Sequence, residues 1–475
     1  MKKLIKIAEY ILFLMFLILV FFEKQKLTIF LTIPVILLLY FGSKKIKVKN
    51  FSLFLLIIAF LIRFISIIVL KVEVVDDFKT MLNASISLIE GDLSFMNGFY
   101  FQTYPFQLGL VLYQALLLKI VSNTSILLFM NSVITTLCVW MIYLISRNLV
   151  QEKTARVISF AYLFYGYPIY LNSVFTNQHI PLLLTLLGIY ILITKEENWK
   201  TALKVATLLA FANFFRTESI VIVFGIIIYN ICYIRKENWK RKLSHLGILL
   251  CTYLALTTLT TQIITHSPLY KASKESLDKN VTLWKFYCGL NDEHNGRYND
   301  EDVQNYFSTD KEKDLVLSRI KTDYKKFPVL FLKKEVILWT QTNYDLRLTN
   351  EWADSTFFKW IQFYNQGYLN LLIVLLIISL FPKRKEEEDP KIIFVKILLA
   401  TYFGIYMFIE ISPRYAYNLH MFCFLILGMG LERIILSKNR FFPKKEEEKI
   451  VEYQWGKPKK KKPKKKKIKK NKKQK

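Results

Sequence analysis

Two adjacent carboxylates, Asp76 and Asp77, stand where acid–base chemistry could occur at a membrane surface. The apolar residues that follow them recur at helical spacing until Gly91 ends the pattern. This spacing predicts an amphipathic helix that lies on the outer membrane face. A carboxylate held there can take a proton from a hydroxyl as the hydroxyl attacks, which makes Asp76 a candidate general base. The alternative is that Asp76 or Asp77 only caps the helix.

Two arginines, Arg216 and Arg414, follow apolar runs on the membrane side that carries few basic residues. Basic residues are usually rare on this side of a membrane protein, so the presence of each arginine needs a structural or functional explanation. A guanidinium can bind two oxygens of a phosphate, so the pair predicts a cationic pocket for a phosphate at the membrane surface. The alternative is a surface ion pair, either Arg216–Glu218 or Glu410–Arg414.

An aromatic run from Phe99 to Tyr104 precedes Pro105, at which an apolar segment begins. The run predicts either a wall for an amphipathic substrate or an aromatic belt at the membrane interface. Gln178 and His179 lie between two predicted spans and are weaker candidates for substrate binding.

Two further features have open interpretations. Arg63 lies inside a predicted span and faces a polar interior or reaches the interface. The Gly- and Asn-rich segment 289–300 favours a structural turn over a calcium site, because its acids lack the EF-hand order.

The composition defines the elements that must position these residues. The chain has 475 residues, of which 53% are hydrophobic, 15% aromatic and 22% charged, and its mean hydropathy is +0.28. A soluble protein of this size cannot bury so much apolar surface, and the continuous apolar runs exclude an alternating membrane barrel. The sequence therefore predicts an all-α integral membrane protein.

Twelve apolar runs are long enough to be spans. They are 4–22, 27–43, 51–71, 125–146, 155–173, 178–194, 201–215, 219–234, 245–265, 366–382, 391–409 and 415–436. A further run, 105–121, is predicted to be an interfacial or re-entrant helix. If it does not cross, the short inner loops carry eighteen basic residues and the short outer connections only four, as the positive-inside rule requires. Both termini are then cytoplasmic and the candidate site faces outward.

This topology divides the chain into segments with different roles. They are an N-terminal transmembrane hairpin (1–50), a catalytic membrane core (51–265) with a first outer loop (72–124), a large extracytoplasmic loop (266–365), C-terminal transmembrane helices (366–436) and a polybasic tail (437–475).

The charge is concentrated at the C-terminal end. The formal net charge is +29, and the segment 457–475 holds fourteen lysines and no acid. We expect a disordered tail that binds anionic lipids. We expect no nucleic acid as a partner, because the segment 457–475 has no aromatic residues on which bases could stack. The five cysteines show no metal spacing, and we expect no disulfide.

In their order along the chain, these features resemble the GT-C superfamily of polytopic glycosyltransferases. The nearest members are the bacterial protein O-mannosyltransferases and the aminoarabinose transferase of lipid A. The family pattern of an acidic pair with Gly-Asp fifteen residues later is matched by Asp76, Asp77 and Gly91-Asp92. Pro105 and the segment after it resemble the family's juxtamembrane helix. Arg216 and Arg414-Tyr415 resemble its late basic positions, so that the resemblance covers about residues 50–436.

The resemblance implies transfer of a sugar from a polyprenyl-phosphate donor to a hydroxyl of a cell-envelope acceptor, on the outer face of the cell membrane. It implies Asp76 as the general base beside Asp77, and Arg216 and Arg414 as ligands of the donor phosphate. The expected substrate-binding residues are Tyr104, Gln178, His179 and Tyr415. No cofactor and no metal site is expected, with a divalent cation at Asp76 and Asp77 as the open alternative.

Three other functions compete with this interpretation. A lipid or sugar transporter would favour broken helices and charges at mid-membrane, of which the sequence offers Arg63. A polysaccharide polymerase or ligase would lack an acidic pair directly after an early span. The third alternative is a non-catalytic scaffold tethered by its tail.

Overall fold

The computed structural model of the protein describes most of the chain, with several gaps. The described residues are 2–22, 33–34, 37, 48–70, 72–104, 107–233, 239–268, 281–309, 311–340, 356–381 and 389–441. Every regular element within these ranges is a helix and none is a strand, which confirms the predicted all-α class.

The chain divides into a compact unit, Met1–Arg433, and a second unit, Ile434–Lys475. The candidate site lies in the first unit. The lysine-rich tail lies outside the described residues, as does most of the predicted second span, 27–43.

Two long helices and the first outer segment open the fold. Their bounds are α1 Lys2–Phe22, α2 Val48–Val69, α3 Asp76–Glu90, α4 Phe99–Thr103 and α5 Leu108–Ile120. The buried residues of α3 lie on one face, as the sequence spacing predicts, and Gly91 ends the helix with a left-handed φ of 82°. The side chain of Ser85 on α3 donates to Gln114 on α5 at 2.9 Å, which joins the two helices.

The middle of the chain is a series of apolar helices. Their bounds are α6 Ser125–Ser146, α7 Glu152–Leu163, α8 Gly166–Leu171, α9 His179–Thr194, α10 Trp199–Phe215, α11 Ser219–Tyr233 and α12 Trp239–Thr265.

The large outer segment and the last apolar helices complete the described chain. Their bounds are α13 Val281–Gly289, α14 Asp300–Phe307, α15 Glu312–Asp323, α16 Phe327–Thr340, α17 Thr356–Leu380, α18 Pro390–Phe408 and α19 Ala416–Phe441.

Five helices within the described ranges are long and apolar enough to cross a bilayer. These segments are Asn50–Val69, Ser125–Ser146, Trp239–Thr265, Lys359–Leu380 and Pro390–Phe408. They support a membrane protein, whereas a total of about twelve spans stays a prediction. At a rise of about 1.5 Å per residue, the thirteen residues of α5 reach about 20 Å, short of the ~30 Å hydrocarbon core. This length suits the helix at 105–121 that we predict not to cross.

Within the predicted span 155–173 the structure breaks the helix into α7 and α8, between Leu163 and Gly166, so this segment is not one continuous helix. Two tyrosines of α17 compensate for the lost backbone hydrogen bonds. The hydroxyl of Tyr364 donates to the carbonyl of Phe164 at 2.9 Å, and that of Tyr368 donates to the carbonyl of Ala161. Buried carbonyls freed at a break need such donors, which a sequence pattern of apolar residues does not reveal.

Candidate active site

The two adjacent carboxylates stand at the N-terminus of α3, with Val75 as the N-cap residue and no capping bond from a side chain. The capping role considered for Asp76 and Asp77 is therefore absent from this helix end. Asp76 has a φ of +50°, a left-handed conformation that costs roughly 1–2 kcal/mol for most residues and less for Asp. The Asp76 side chain is exposed to the adjacent cavity. Strained backbone at such a position is characteristic of functional sites.

Asp77 has a different environment from its neighbour. Its Oδ2 accepts a hydrogen bond from Arg414 at 2.9 Å, and the two side chains are 37% and 25% exposed. Burial lowers the pKa of Arg414, but the nearby Tyr415 and Asp77 outweigh burial and raise it, so the guanidinium stays charged. Arg414 also lies over the Phe78 ring, with 5.4 Å between the guanidinium carbon and the ring centroid.

Arg216 lies between α10 and α11 on the same cavity wall. Its Nε donates to Glu218, which is the ion pair considered as an alternative from the sequence. One terminal nitrogen donates to the side chain of Asn177 at 3.2 Å, and the guanidinium stacks 4.8 Å from the ring centroid of Tyr415. These contacts hold Arg216 in place with one planar face against an aromatic ring.

Lys285 is a cation of the site that the sequence did not indicate. Its ammonium donates to Glu410, and the Glu410 amide donates to the carbonyl of Lys285 at 2.8 Å. Burial lowers the pKa of Lys285, but Glu410 outweighs burial and raises it, so the lysine stays protonated. The predicted alternative pair Glu410–Arg414 is therefore wrong, because each member bonds to another partner. The one available signal for Lys285 was its position within an aromatic run, from Trp284 to Tyr287.

A cavity of about 700 Å³ brings these groups together. Its wall carries four cationic side chains, Arg216, Lys285, Arg297 and Arg414, and four acidic ones, Asp76, Asp77, Glu218 and Glu410. The site is therefore charge-balanced, which differs from the simply cationic pocket expected from the sequence. The difference arises because each cation that we expected to be available pairs with an acid, Arg216 with the nearby Glu218 and Arg414 with the distant Asp77.

Aromatic side chains form much of the remaining wall. Tyr104 and Tyr415, both predicted to contact substrate, line the cavity together with Tyr100. Burial raises the pKa of Tyr100 and of Tyr104, so both phenols stay neutral. The indole of Trp284 donates to the Tyr104 hydroxyl at 3.2 Å and fixes its position.

A buried lysine clamps the segment that carries Glu410, Arg414 and Tyr415. The ammonium of Lys334 donates to the carbonyls of Gly289, Met407 and Ile409 at 2.7, 2.9 and 2.7 Å. A β-carbon at Gly289 would lie 2.2–2.5 Å from backbone atoms of residues 408–410, so glycine permits this close approach. The close packing of the ends of α13 and α18 thus fixes the position of Glu410 in the site.

Gln178 and His179, also expected to bind substrate, do not line this cavity. Gln178 donates to the backbone carbonyl of Arg414 at 2.9 Å, and both residues are about 1% exposed. His179 bonds to the hydroxyl of Tyr417 at 3.0 Å and the carbonyl of Leu171 at 3.1 Å. In this arrangement the two residues hold the backbone and side chains that support the cavity wall, and they do not line the cavity themselves. The difference arises because polar residues between spans turn inward to satisfy backbone groups.

A divalent cation at Asp76 and Asp77 stays a prediction. In the structure one oxygen of Asp77, Oδ2, already accepts a hydrogen bond from Arg414. Among the described residues no three His, Cys, Asp or Glu side chains form a group that could hold a metal ion. The segment 289–300 forms turns with positive φ at Asn295 and Gly296, and its Asn291 side chain bonds to Asp302.

The fold and the cavity define a helical membrane protein with a carboxylate and several guanidinium groups facing one internal space. Residues 109–260 match the family described as dolichyl-phosphate-mannose-protein mannosyltransferase. This match confirms the resemblance to GT-C glycosyltransferases and indicates a mannosyltransferase-like membrane glycosyltransferase. The matched region contains Arg216, Gln178 and His179 and ends before Arg414. No curated protein matches the chain significantly.

Proposed function

We propose that the protein transfers a sugar from a polyprenyl-phosphate donor to a hydroxyl of a cell-envelope acceptor, on the extracytoplasmic face. The observation that carries this proposal is the cavity in which Asp76, with no capping role, faces Arg216 and Arg414. A proton acceptor and cations for a phosphate are the two requirements of this chemistry. The orientation rests on the excess of basic residues in the short inner loops.

The reaction assigns a distinct task to Asp76. The oxygen of the acceptor hydroxyl forms a bond to the anomeric carbon of the sugar while its proton passes to the Asp76 carboxylate. The bond between the anomeric carbon and the phosphate oxygen breaks, and polyprenyl phosphate leaves with the bonding electrons. Attack from the face opposite the phosphate inverts the anomeric configuration.

The leaving phosphate gains negative charge as the bond breaks, and preorganised cations stabilise that charge best. Arg414 is the first candidate, because its side chain lines the cavity and is 25% exposed, while one terminal nitrogen bonds to Asp77. Arg216 already donates to Glu218 and Asn177. It would therefore stabilise the phosphate through its positive charge and its place in the cavity wall more than through additional hydrogen bonds. Asp77 accepts a hydrogen bond from Arg414 and orients it in the absence of donor, and the phosphate would replace Asp77 as the acceptor.

The proposal is tested with the purified full-length protein and a panel of radiolabelled polyprenyl-phosphate sugars. The expected result is transfer to a hydroxyl acceptor, or slow hydrolysis of one donor when no acceptor is present. The negative control is Arg414→Ala, which removes the guanidinium that would bind the donor phosphate and whose folding is checked by thermal unfolding. Donors that stay intact in every combination, with protein shown to be folded, would contradict the proposal.

A further inference from the structure

A second cavity, of about 160 Å³, lies at the ends of α9, α10, α11, α12 and α18. These ends adjoin the basic loops that we predict to face the cytoplasm. The seventeen residues of α10 separate this cavity from Arg216 by about 25 Å at the usual helical rise. Its volume is far above the roughly 10–15 Å³ that a single water needs, so it can admit a larger group.

The centre of this cavity is Lys242, whose side chain is only 10% exposed. Its ammonium lies 3.5 Å from Oε2 of Glu197 and 3.4 Å from Oδ1 of Asn230. Both distances exceed the ~2.7–2.9 Å of a good charge-assisted hydrogen bond. The buried charge therefore retains donor capacity that these two contacts do not use fully.

The charges around Lys242 favour an anion. Lys195, which is exposed, and Lys391, which is partly buried, also line the cavity, whereas Glu197 is the one acidic residue among its described lining residues. His245 contributes a further nitrogen, 3.7 Å from the Glu197 carboxylate. Among the described lining residues three lysines accompany one carboxylate, so this lining has an excess of positive charge, in contrast to the balanced outer cavity.

The other walls of the cavity are apolar. They include Leu249 of α12 and Phe394 of α18, helices that are long and apolar enough to cross a bilayer. A basic pocket between such helices at the cytoplasmic side suits a lipid head group whose acyl chains remain beside the helices. A free anion would leave this apolar surface uncovered.

We propose that this cavity binds the phosphate head group of an anionic membrane phospholipid, with Lys242 as the central contact. The inference is independent of the sugar transfer proposed above, because the two cavities share no lining residue. It is also separate from the tail, which can attract anionic lipid without any pocket.

The test measures lipid binding by the full-length protein in detergent, by native mass spectrometry, with phosphatidylglycerol and with phosphatidylcholine. The wild-type protein should prefer phosphatidylglycerol. Lys242→Gln and, separately, Lys391→Gln should each weaken that binding about fivefold, the factor expected for one lysine near a phosphate head group. Lys391 is only partly buried, so its variant remains informative even if Lys242→Gln unfolds.

The matched control is Lys200→Gln, which removes an exposed lysine of α10 that does not line the cavity. This variant should bind phosphatidylglycerol like the wild type. The tail is the same in all variants, so any lipid that the tail binds contributes equally to each measurement. Equal affinity in the wild type, Lys391→Gln and Lys200→Gln would overturn the proposal. Inorganic phosphate that displaced the lipid at equal concentration would overturn the assignment to a lipid.

Discussion

Replacing Asp77 with Asn should tighten binding of the donor, although the residue is adjacent to the proposed base. In the structure Asp77 competes with an incoming phosphate for Arg414, through a contact of 2.9 Å. The two side chains are 37% and 25% exposed, so solvent screens the pair and its strength falls near the top of the surface range, about 1 kcal/mol. Removing that competition should lower the dissociation constant of the donor about fivefold.

The assay is equilibrium binding of a polyprenyl-phosphate sugar to the purified variant, in parallel with turnover at saturating donor. Binding should improve, and turnover should fall modestly because Arg414 loses the partner that orients it. Glu90→Gln is the matched control, since it removes one exposed negative charge from the same helix without touching the cavity. Weaker donor binding by Asp77→Asn than by Glu90→Gln would refute the competition between Asp77 and the phosphate.

Three further predictions concern the site and the topology. Arg414→Ala should raise the KM for the donor more than Arg414→Lys does, because Lys keeps the charge but loses the two-pronged geometry; equal kinetics in both would exclude a phosphate contact. Lys334→Met should lower the free energy of unfolding by about 3 kcal/mol, because three buried carbonyls lose their hydrogen-bond donor, as thermal unfolding would measure. An unchanged melting temperature would show that the clamp contributes nothing. Reporter fusions after Ser122 should report the outside and fusions after Gln151 the cytoplasm, whereas a cytoplasmic Ser122 would contradict the non-crossing α5.

Local patterns predicted the parts of the site that lie at element boundaries. The apolar spacing after Asp77 placed α3, and Gly91 placed its end, because both signals depend on nearby residues alone. Arg216 and Arg414 were found because they violate the charge bias of their membrane side. All four charged candidates line one cavity in the structure, although their chemical roles stay predictions.

Pairing between distant segments was not predictable in the same way. Lys285 and Glu410 are 125 positions apart, and only folding of the large outer segment onto the end of α18 makes them neighbours. The inward orientation of Gln178 likewise depends on the carbonyl of Arg414, 236 positions away. Such contacts decide whether a cation is available to a ligand, so a sequence alone overestimates the positive charge of the cavity.

The central claim is that Asp76 accepts the proton of the acceptor hydroxyl, and Asp76→Asn tests it most directly. Asn matches Asp in size, can still cap a helix and tolerates the left-handed φ of +50°, so the fold should be preserved. It cannot accept the proton as a carboxylate does. With a defined donor and acceptor, we predict that kcat falls roughly 10²–10⁴-fold, while donor binding and thermal stability stay at wild-type values. Turnover near the wild-type rate in this variant would contradict the assignment of Asp76 as the general base.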